Sequence, residues 1–387
     1  MREIYFDNSA TTKISKTALC AVMEGYEQFG NPSSLHQRGA AAQKRLTEAS
    51  RSLLSHITSK RGAGDIVFTS GGTEANNLAI LGAFYSKKRR PDSAIMITDS
   101  EHASVEMPAR ELEKAGYRVL RVPTKGGTLD MDFISEHADE KTVLASFMLV
   151  NNETGAIYDV KRAFEILKEK NPDVITHTDA VQAFGKIPFD ALSLGADLVS
   201  VSSHKIHGPM GVGALFVRSE VQKAKQLIPT LYGGGQQKGY RSGTENLPAI
   251  LGFSAAADEV FAKLSERADS MRSVREYLIE KLSGMEVSLN LPPVSAPHVL
   301  SVTLPSVKSE VMLHFLSSKG VLVSSGSACS SNHPGTSTPL LSFGLAPNQA
   351  DCTVRLSFSA ENTKEEADVF IDALAEGLKT LVRIRRR

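Results

Sequence analysis

The chain has 387 residues and a formal net charge of +1, with 41% hydrophobic and 22% charged residues, which is typical of a soluble globular protein with one large and one smaller domain. The balanced charge argues against binding to nucleic acid or an anionic membrane, and no stretch approaches the ~18 apolar residues of a membrane span. Three widely spaced cysteines, and a start without an apolar signal region, predict a reducing, cytoplasmic setting.

Short apolar runs alternate with helical patterns between residues 44 and 217. The helical patterns lie at 44–57, 74–88, 104–116 and about 160–170. The apolar runs, which we predict to be strands, lie at 65–69, 94–98, 117–122, 142–150, 173–179, 197–203 and 213–217. This alternation predicts an α/β fold whose strands are buried and mostly parallel.

A different pattern follows the predicted sheet. A long helical stretch at about 248–283 leads away from it, and strand-like runs are then interspersed with helices ("VLSVTLP", "GVLVSS" and "TVRLSFS"). Such a mixture is typical of a smaller α+β domain. We therefore predict a large domain at 15–255 and a small domain formed by 1–14 together with 256–387.

Polar residues follow several predicted strands, and the carboxyl ends of strands are where ligands collect in such sheets. Gly72 and Thr73 follow the first strand and form either an anion site or an ordinary helix start. His102 follows the second and either stacks on a flat ligand and moves protons, or caps a helix. Asn152 follows the fourth and either shapes a turn or binds a ligand.

The fifth and sixth predicted strands end in ionisable residues. Asp179, with Gln182 nearby, pairs with a cation such as a protonated pyridine nitrogen, or else caps a helix. Lys205 follows Ser202 and His204 in "SSHKIHGP". A lysine at the rim of a buried sheet can lose its proton and form a Schiff base, whereas a lysine in a surface loop has no such role.

Taken together, these residues match the parts of one ligand, pyridoxal phosphate. The phosphate would be held by Thr73, Ser202 and His204, and the ring face would be covered by His102. The ring nitrogen would pair with Asp179, the phenolic oxygen with Gln182 and the aldehyde with Lys205.

The motifs around these residues resemble those of the cysteine desulfurases, a class V aminotransferase family of fold type I pyridoxal-phosphate-dependent transferases. The matching motifs are "FDNSATT", "GNPSSLH", "FTSGGTEANN", "EHAS", "NNETG", "HTDAVQAFGK", "SSHKIHGP", "GGGQQKGYRSGTEN", "SSGSACSS" and "VRLSFS". The resemblance implies a large α/β domain with a mostly parallel seven-stranded sheet flanked by helices, and a smaller α+β domain.

The resemblance also implies roles for residues that the strand pattern does not single out. Arg355 would clamp the substrate carboxylate, a task suited to a guanidinium group. Asn152 would act at the substrate and the ring, and Asn8 and Asn31 would lie at the edge of the site. Thr244, in "RSGT", would reach the phosphate of the other subunit, which implies a homodimer.

Cys329 lies in "SSGSACSSNHPGTST", whose serine and glycine content predicts a mobile loop. By resemblance to the long-loop (NifS/IscS-like) subgroup, Cys329 takes sulfur from L-cysteine as a persulfide, with His102 as a candidate acceptor of its proton. The sulfur then passes to an acceptor protein for iron–sulfur clusters, another sulfur-containing cofactor or tRNA thiolation. We expect Cys20 to lie in the core and Cys352 to be structural.

Two other kinds of protein fit the same motifs. One is a selenocysteine lyase or another class V aminotransferase, which the products formed from cysteine and selenocysteine would identify. The other is a non-catalytic scaffold for sulfur transfer, which would be colourless when purified. No spacing of cysteine, histidine or acidic residues predicts a metal site.

Overall fold

A seven-stranded sheet forms the centre of the larger lobe in the computed structural model, which describes residues 3–305, 307–325 and 337–381. The strands within these described ranges are, in order, β1 (Ile4–Tyr5), β2 (Gly64–Thr69), β3 (Ala94–Thr98), β4 (Arg118–Val122), β5 (Thr142–Met148), β6 (Ile175–Asp179), β7 (Leu198–Ser202), β8 (Gly213–Arg218), β9 (Ser288–Leu289), β10 (Val299–Thr303), β11 (Val321–Leu322), β12 (Ser324–Ser325) and β13 (Thr353–Ser357).

Helices cover both faces of this sheet and continue into the smaller lobe. They are α1 (Lys16–Glu27), α2 (Gln37–Ile57), α3 (Gly72–Asn77), α4 (Ala103–Lys114), α5 (Met131–His137), α6 (Val160–Lys170), α7 (Ser219–Lys223), α8 (Leu247–Phe261), α9 (Leu264–Leu282), α10 (Ser309–Ser318), α11 (Thr338–Phe343), α12 (Pro347–Ala350) and α13 (Lys364–Thr380). Within the described ranges, none of these helices combines the length and apolar character that crossing a membrane requires.

The strand order of the large sheet is β2-β8-β7-β6-β5-β3-β4, and β8 alone runs antiparallel to its neighbours. This confirms the predicted α/β fold with a mostly parallel sheet. The exception has a physical cause: residues 203–212 join β7 to β8, fewer than the dozen or so residues that a parallel crossover needs. Since β7, β6, β5 and β3 are neighbours and run parallel, the segments that follow them meet at one edge of the sheet.

The smaller lobe has its own sheet and its own apolar core. Its sheet has the order β12-β13-β10-β9, and β1 pairs in parallel with β11. Phe6, just after β1, packs edge-to-face on Phe358 and Phe370. The predicted helix at 248–283 is two helices: α8 packs on the large core through Val260, whereas α9 packs on the small core through Met271. The limits of the domains at 14/15 and 255/256 stay predictions.

Cys20 lies exposed on α1, so the expectation of a core position is wrong. The buried side of α1 is made of small residues, Ala18 and Gly25, and a Cβ at Gly25 would lie 2.7 Å from the backbone of Pro248 at the start of α8. The two helices can approach closely because small residues of α1 lie at their contact. The larger apolar side chains of α1 therefore lie on its exposed side. Cys352 is buried next to β13, and its structural role stays a prediction.

Candidate active site

A cavity of about 290 Å³ lies where β3, β5, β6 and β7 end. The small lobe closes it, since β13 and the segment after β1 contribute to its wall. The cavity brings together most of the residues predicted from the sequence, namely Gly72, Thr73, His102, Asn152, Asp179, Gln182, Ser202, His204, Lys205 and Arg355.

Lys205 ends a single helical turn, Ser203–Lys205, directly after β7. The short path from the buried strand to this turn fixes the lysine at the rim of the sheet. Its Nζ donates to the carbonyl oxygen of Ala10 at 2.8 Å and also to that of Ser9. The backbone after β1 therefore holds the amine at the wall of the cavity.

Asp179 is the last residue of β6 and is only 7% exposed. Its Oδ1 accepts from the backbone N–H of Val181 at 2.9 Å, and its Oδ2 accepts from Nδ2 of Asn76 at 2.7 Å. The same Asn76 nitrogen donates to Oγ of Ser104 at 2.8 Å. Two fixed donors thus hold the carboxylate in one orientation at the base of the cavity.

His102 is the N-cap of α4, so its structural and ligand-facing roles are compatible. Its Nδ1 accepts from the backbone N–H of Ser104 at 3.1 Å and lies 2.8 Å from Oγ of Ser104. Burial lowers the pKa of His102 and the charge on Lys205 lowers it further, against the opposing effect of Asp179. Asn76 and Ser104 were not singled out from the sequence, although they lie in the motifs "GGTEANN" and "EHAS".

The start of α3, with the end of β7, forms one end of the cavity. A Cβ at Gly72 would lie 2.8 Å from Cγ2 of Val181, so glycine permits the close packing of α3 on the segment after β6. No side chain of the described residues caps α3, which leaves N–H groups at its start for an anion. Oγ of Ser202 is buried without a partner among the described residues. Burial, followed by the charge on Lys205, lowers the pKa of His204 to about 4.

Arg355, in β13, lies at the opposite side of the cavity and is only 3% exposed. Its Nη2 pairs with Oδ1 of Asp7 at 2.8 Å, and its Nη1 donates to the carbonyl oxygen of Asn152 at 3.0 Å. Its Nε has no partner among the described residues. A buried guanidinium with donor capacity left over is suited to a carboxylate ligand.

Gln182 is held in a defined amide orientation. Its Nε2 donates to the carbonyl oxygen of Ser9 at 3.0 Å, and its Oε1 lies 3.4 Å from Nε2 of His298. His298 is fully buried and burial lowers its pKa, so the neutral ring donates to Gln182. His298 was missed from the sequence because it lies far from Gln182 along the chain, in the "PHVLSVT" run of the small lobe.

Three predicted site residues do not line this cavity. Asn8 is buried, and its Nδ2 donates to the carbonyl oxygens of Tyr5 and Ser357. Asn31 is exposed, and its Oδ1 accepts from a backbone N–H within its own turn. Thr244 lines a separate pocket, as the prediction of a contact with another subunit allows. Cys329 lies outside the described residues, so its role stays a prediction.

The residues of the cavity fit pyridoxal phosphate. Buried polar atoms are almost always hydrogen-bonded. Here Ser202 Oγ, Asn76 Oδ1, Asn152 Oδ1 and Arg355 Nε are buried around one cavity and have no partner within the described ranges. A polar ligand would complete their hydrogen bonding. An amine, a carboxylate and an uncapped helix start around the same cavity suit an aldehyde, a ring nitrogen and a phosphate.

The large α/β lobe, the smaller α+β lobe and a lysine at the strand ends define an enzyme of the fold type I transferase class. The chain belongs to the aminotransferase class-V family, whose sequence profile matches residues 4–370. This confirms the family expected from the motifs.

Individual relatives span nearly the whole chain. Cysteine desulfurase IscS 1 of Archaeoglobus fulgidus is 38% identical over 99% of this chain and 100% of its own length. A NifS/IcsS protein homolog of Lactobacillus delbrueckii subsp. bulgaricus is 40% identical over 96% of each chain. Among solved structures, a NifS-like protein has a TM-score of 0.90 at 33% identity, covering 98% of this chain and 100% of its own. The apo cysteine desulfurase of Thermococcus onnurineus NA1 has a TM-score of 0.86 at 25% identity, covering 98% and 95%.

Proposed function

We propose that the protein is a cysteine desulfurase that depends on pyridoxal phosphate. It removes the sulfur atom of L-cysteine, releases L-alanine and leaves the sulfur on Cys329 as a persulfide. The observation that carries this proposal is the convergence of Lys205, Asp179 and Arg355 on one cavity. The relatives named cysteine desulfurase or NifS-like, which cover almost the entire chain, support the choice of reaction.

Bound pyridoxal phosphate would supply the aldehyde that takes up an amine and the electron-accepting ring. Lys205 would hold the aldehyde end, because its amine already lies at the cavity wall. Asp179 would keep the ring nitrogen protonated, and Gln182 would meet the phenolic oxygen. His102 would cover one face of the ring. Each of these assignments uses a side chain whose position is fixed by the contacts described above.

The phosphate would lie at the start of α3. Thr73 lies in the first turn of that helix, and Ser202 and His204 lie across from it at the end of β7. An anion there would find helix N–H groups and the hydroxyl of Ser202, for which the described ranges contain no hydrogen-bond partner. It would also raise the pKa of His204 again, because a protonated imidazole pairs with a phosphate.

Arg355 would bind the α-carboxylate of the substrate. To do so it would exchange its partner Asp7 for the substrate, and its Nε, which has no partner in the part of the chain that the structure describes, gives a second donor. Asn152 lines the same cavity and accepts from Arg355 through its carbonyl oxygen, and its Oδ1 has no partner among the described residues. The substrate would thus be held by its carboxylate with its side chain turned towards the nucleophile.

The transfer of sulfur balances without an added oxidant. The Cβ–S bond of L-cysteine breaks, an S–S bond to Cys329 forms, and Cβ gains a proton to give alanine. The persulfide holds the sulfur in an oxidised form until an acceptor protein or an added reductant removes it. The acceptor, whether it serves iron–sulfur clusters, other sulfur-containing cofactors or tRNA thiolation, would approach from outside the cavity.

A homodimer, the cytoplasmic setting and the contribution of Thr244 to the partner's cavity belong to the same proposal. Support for the dimer comes from large apolar side chains on the surface: Leu19, Met23 and Tyr26 on α1 are 47%, 56% and 64% exposed. Tyr232, in the loop before Thr244, is 75% exposed. A second copy that covers these side chains would bury this apolar surface.

Incubation with L-cysteine, pyridoxal phosphate and a thiol reductant tests the proposal. We expect alanine and sulfide in equal amounts, and loss of both in Cys329→Ser with the cofactor still bound. Wild-type sulfur release by Cys329→Ser would contradict the assignment of the nucleophile. Conversion of a keto acid without sulfide would indicate an aminotransferase, and activity restricted to selenocysteine would indicate a selenocysteine lyase. A colourless, inactive protein would indicate a scaffold.

A further inference from the structure

A buried asparagine links the two polar groups that face the ring of the proposed cofactor. Asn76 is fully buried, and its single amide nitrogen donates both to Asp179, at 2.7 Å, and to Ser104, at 2.8 Å. Ser104 in turn contacts Nδ1 of His102 through both its backbone N–H and its hydroxyl. The result is a continuous chain of hydrogen bonds from the carboxylate to the imidazole.

Only one arrangement of protons gives each donor in this series of hydrogen bonds an acceptor. The carboxylate of Asp179 accepts hydrogen bonds, so the amide of Asn76 has to present its nitrogen to it. The second hydrogen of that nitrogen then points to the oxygen of Ser104, and the one hydroxyl proton of Ser104 is left for Nδ1 of His102. The backbone N–H of Ser104 is also a donor to Nδ1, at 3.1 Å, and a backbone donor cannot be reversed.

We propose that Asn76 and Ser104 are positioning residues that hold the neutral ring of His102 with its proton on Nε2. Nδ1 faces two donors, so a proton there would meet another hydrogen and leave the ring nitrogen and the N–H of Ser104 without acceptors. His102 therefore offers a hydrogen-bond donor to the cavity that it lines. The inference deepens the proposed function and rests on it for the reaction in which His102 takes part.

This arrangement changes one expectation about the reaction. A neutral imidazole that already carries a proton on Nε2 cannot accept another there, and its Nδ1 is occupied by Ser104. His102 then acts as a hydrogen-bond donor, and the thiol proton of Cys329 goes to a different acceptor. Asn76 and Ser104 line the same cavity, and on this assignment they control the behaviour of His102 through the hydrogen bonds that reach its Nδ1.

Nuclear magnetic resonance of the cofactor-free protein tests the inference without any catalysis. The protein is labelled with ¹⁵N-histidine, and His102 is assigned by the signals that disappear in His102→Gln. In the wild type, at a pH above the titration of His102, we expect Nε2 to show the shift of a protonated nitrogen and Nδ1 that of an unprotonated one. Protonated Nδ1 in the wild type would overturn the proposal, whatever the variants do.

Two variants and a matched control complete the test. Ser104→Ala and Asn76→Ala should each shift the Nδ1 signal of His102, because each removes or releases the hydroxyl donor and leaves the backbone N–H of residue 104 as the remaining donor. Asn77→Ala, on the same helix, should not, because the side chain of Asn77 donates to the backbone oxygen of Thr73 and, among the described residues, to no member of this chain of hydrogen bonds. In the loaded enzyme, kcat should fall about five- to tenfold in the first two, the loss expected for one hydrogen bond.

Unchanged Nδ1 signals in folded Ser104→Ala and Asn76→Ala would also overturn the proposal. If either variant fails to fold, the wild-type spectrum still decides the matter. The outcome is independent of the proposed function: the expected spectra with no conversion of L-cysteine would keep the positioning role and reject the desulfurase assignment.

Discussion

Replacing Asp179 with asparagine removes one negative charge and hardly changes the shape of the side chain. The carboxylate now accepts one hydrogen bond from the Val181 N–H and one from Asn76. An asparagine has one oxygen and one NH₂ group, so one of these two donors would face another donor. Because residue 179 is only 7% exposed, water cannot replace the lost hydrogen bond.

The structure therefore predicts two separate effects. An unsatisfied buried donor costs about 1–3 kcal/mol, so urea unfolding of cofactor-free Asp179→Asn should show a loss of that size. In the loaded enzyme, the ring nitrogen loses a charged partner worth about 1.5–3 kcal/mol, which corresponds to about a 10- to 150-fold fall in kcat for alanine formation.

An exchange of the two side chains separates the effects. In the double variant Asn76→Asp, Asp179→Asn, the amide at position 179 again donates to a carboxylate, now at position 76. The number of charges is unchanged, but the carboxylate no longer lies at position 179. We expect it to regain most of the lost unfolding free energy and none of the lost kcat. Activity near that of the wild type in either Asp179→Asn or the double variant would refute the role of Asp179 in holding the ring nitrogen.

Three further predictions concern other parts of the cavity and its surroundings. Lys205→Ala should purify without the visible absorbance of bound cofactor and form no alanine; a coloured, active variant would contradict this. Arg355→Lys should raise KM for L-cysteine about tenfold or more, because a lysine lacks the guanidinium fork; an unchanged KM in steady-state assays would exclude the carboxylate clamp. Burial raises the pKa of Glu101 to about 8, so the folded protein keeps a proton that the unfolded chain loses above pH ~4.5. Wild-type stability should thus fall, relative to Glu101→Gln, as pH rises from 5 to 8, by a few kcal/mol in urea unfolding; an equal difference at both pH values would contradict it.

The large sheet was accessible to sequence reasoning because buried parallel strands consist of continuous apolar residues. The run at 94–98 coincides with β3, and the runs at 65–69 and 213–217 each fall one residue short of the strands they predict. The antiparallel direction of β8 was not predicted, although the shortness of the β7–β8 connection contains the information. The break between α8 and α9 had no local signal, since no proline or glycine stands at 262–263 and the break reflects packing on two different cores.

Some residues of the candidate site could likewise be predicted from the sequence, and others could not. Lys205, Asp179 and His102 were found because each follows a recognisable strand, and neighbouring parallel strands place such residues together. Asn76, Ser104 and His298 were not found. They act on other site residues through hydrogen bonds, and nothing in their residue types or spacing predicts which buried partner they contact.

The attachment of the cofactor to Lys205 is the claim on which the other assignments depend. Borohydride reduction of the loaded protein, followed by digestion and mass spectrometry, measures it directly. The most informative comparison is Lys186, a buried lysine whose pKa is lowered to about 7, mainly by burial and then by Arg267 and Lys205. We predict a phosphopyridoxyl group on the peptide that contains Lys205. The same group on Lys186, or no modified peptide at all, would contradict the account.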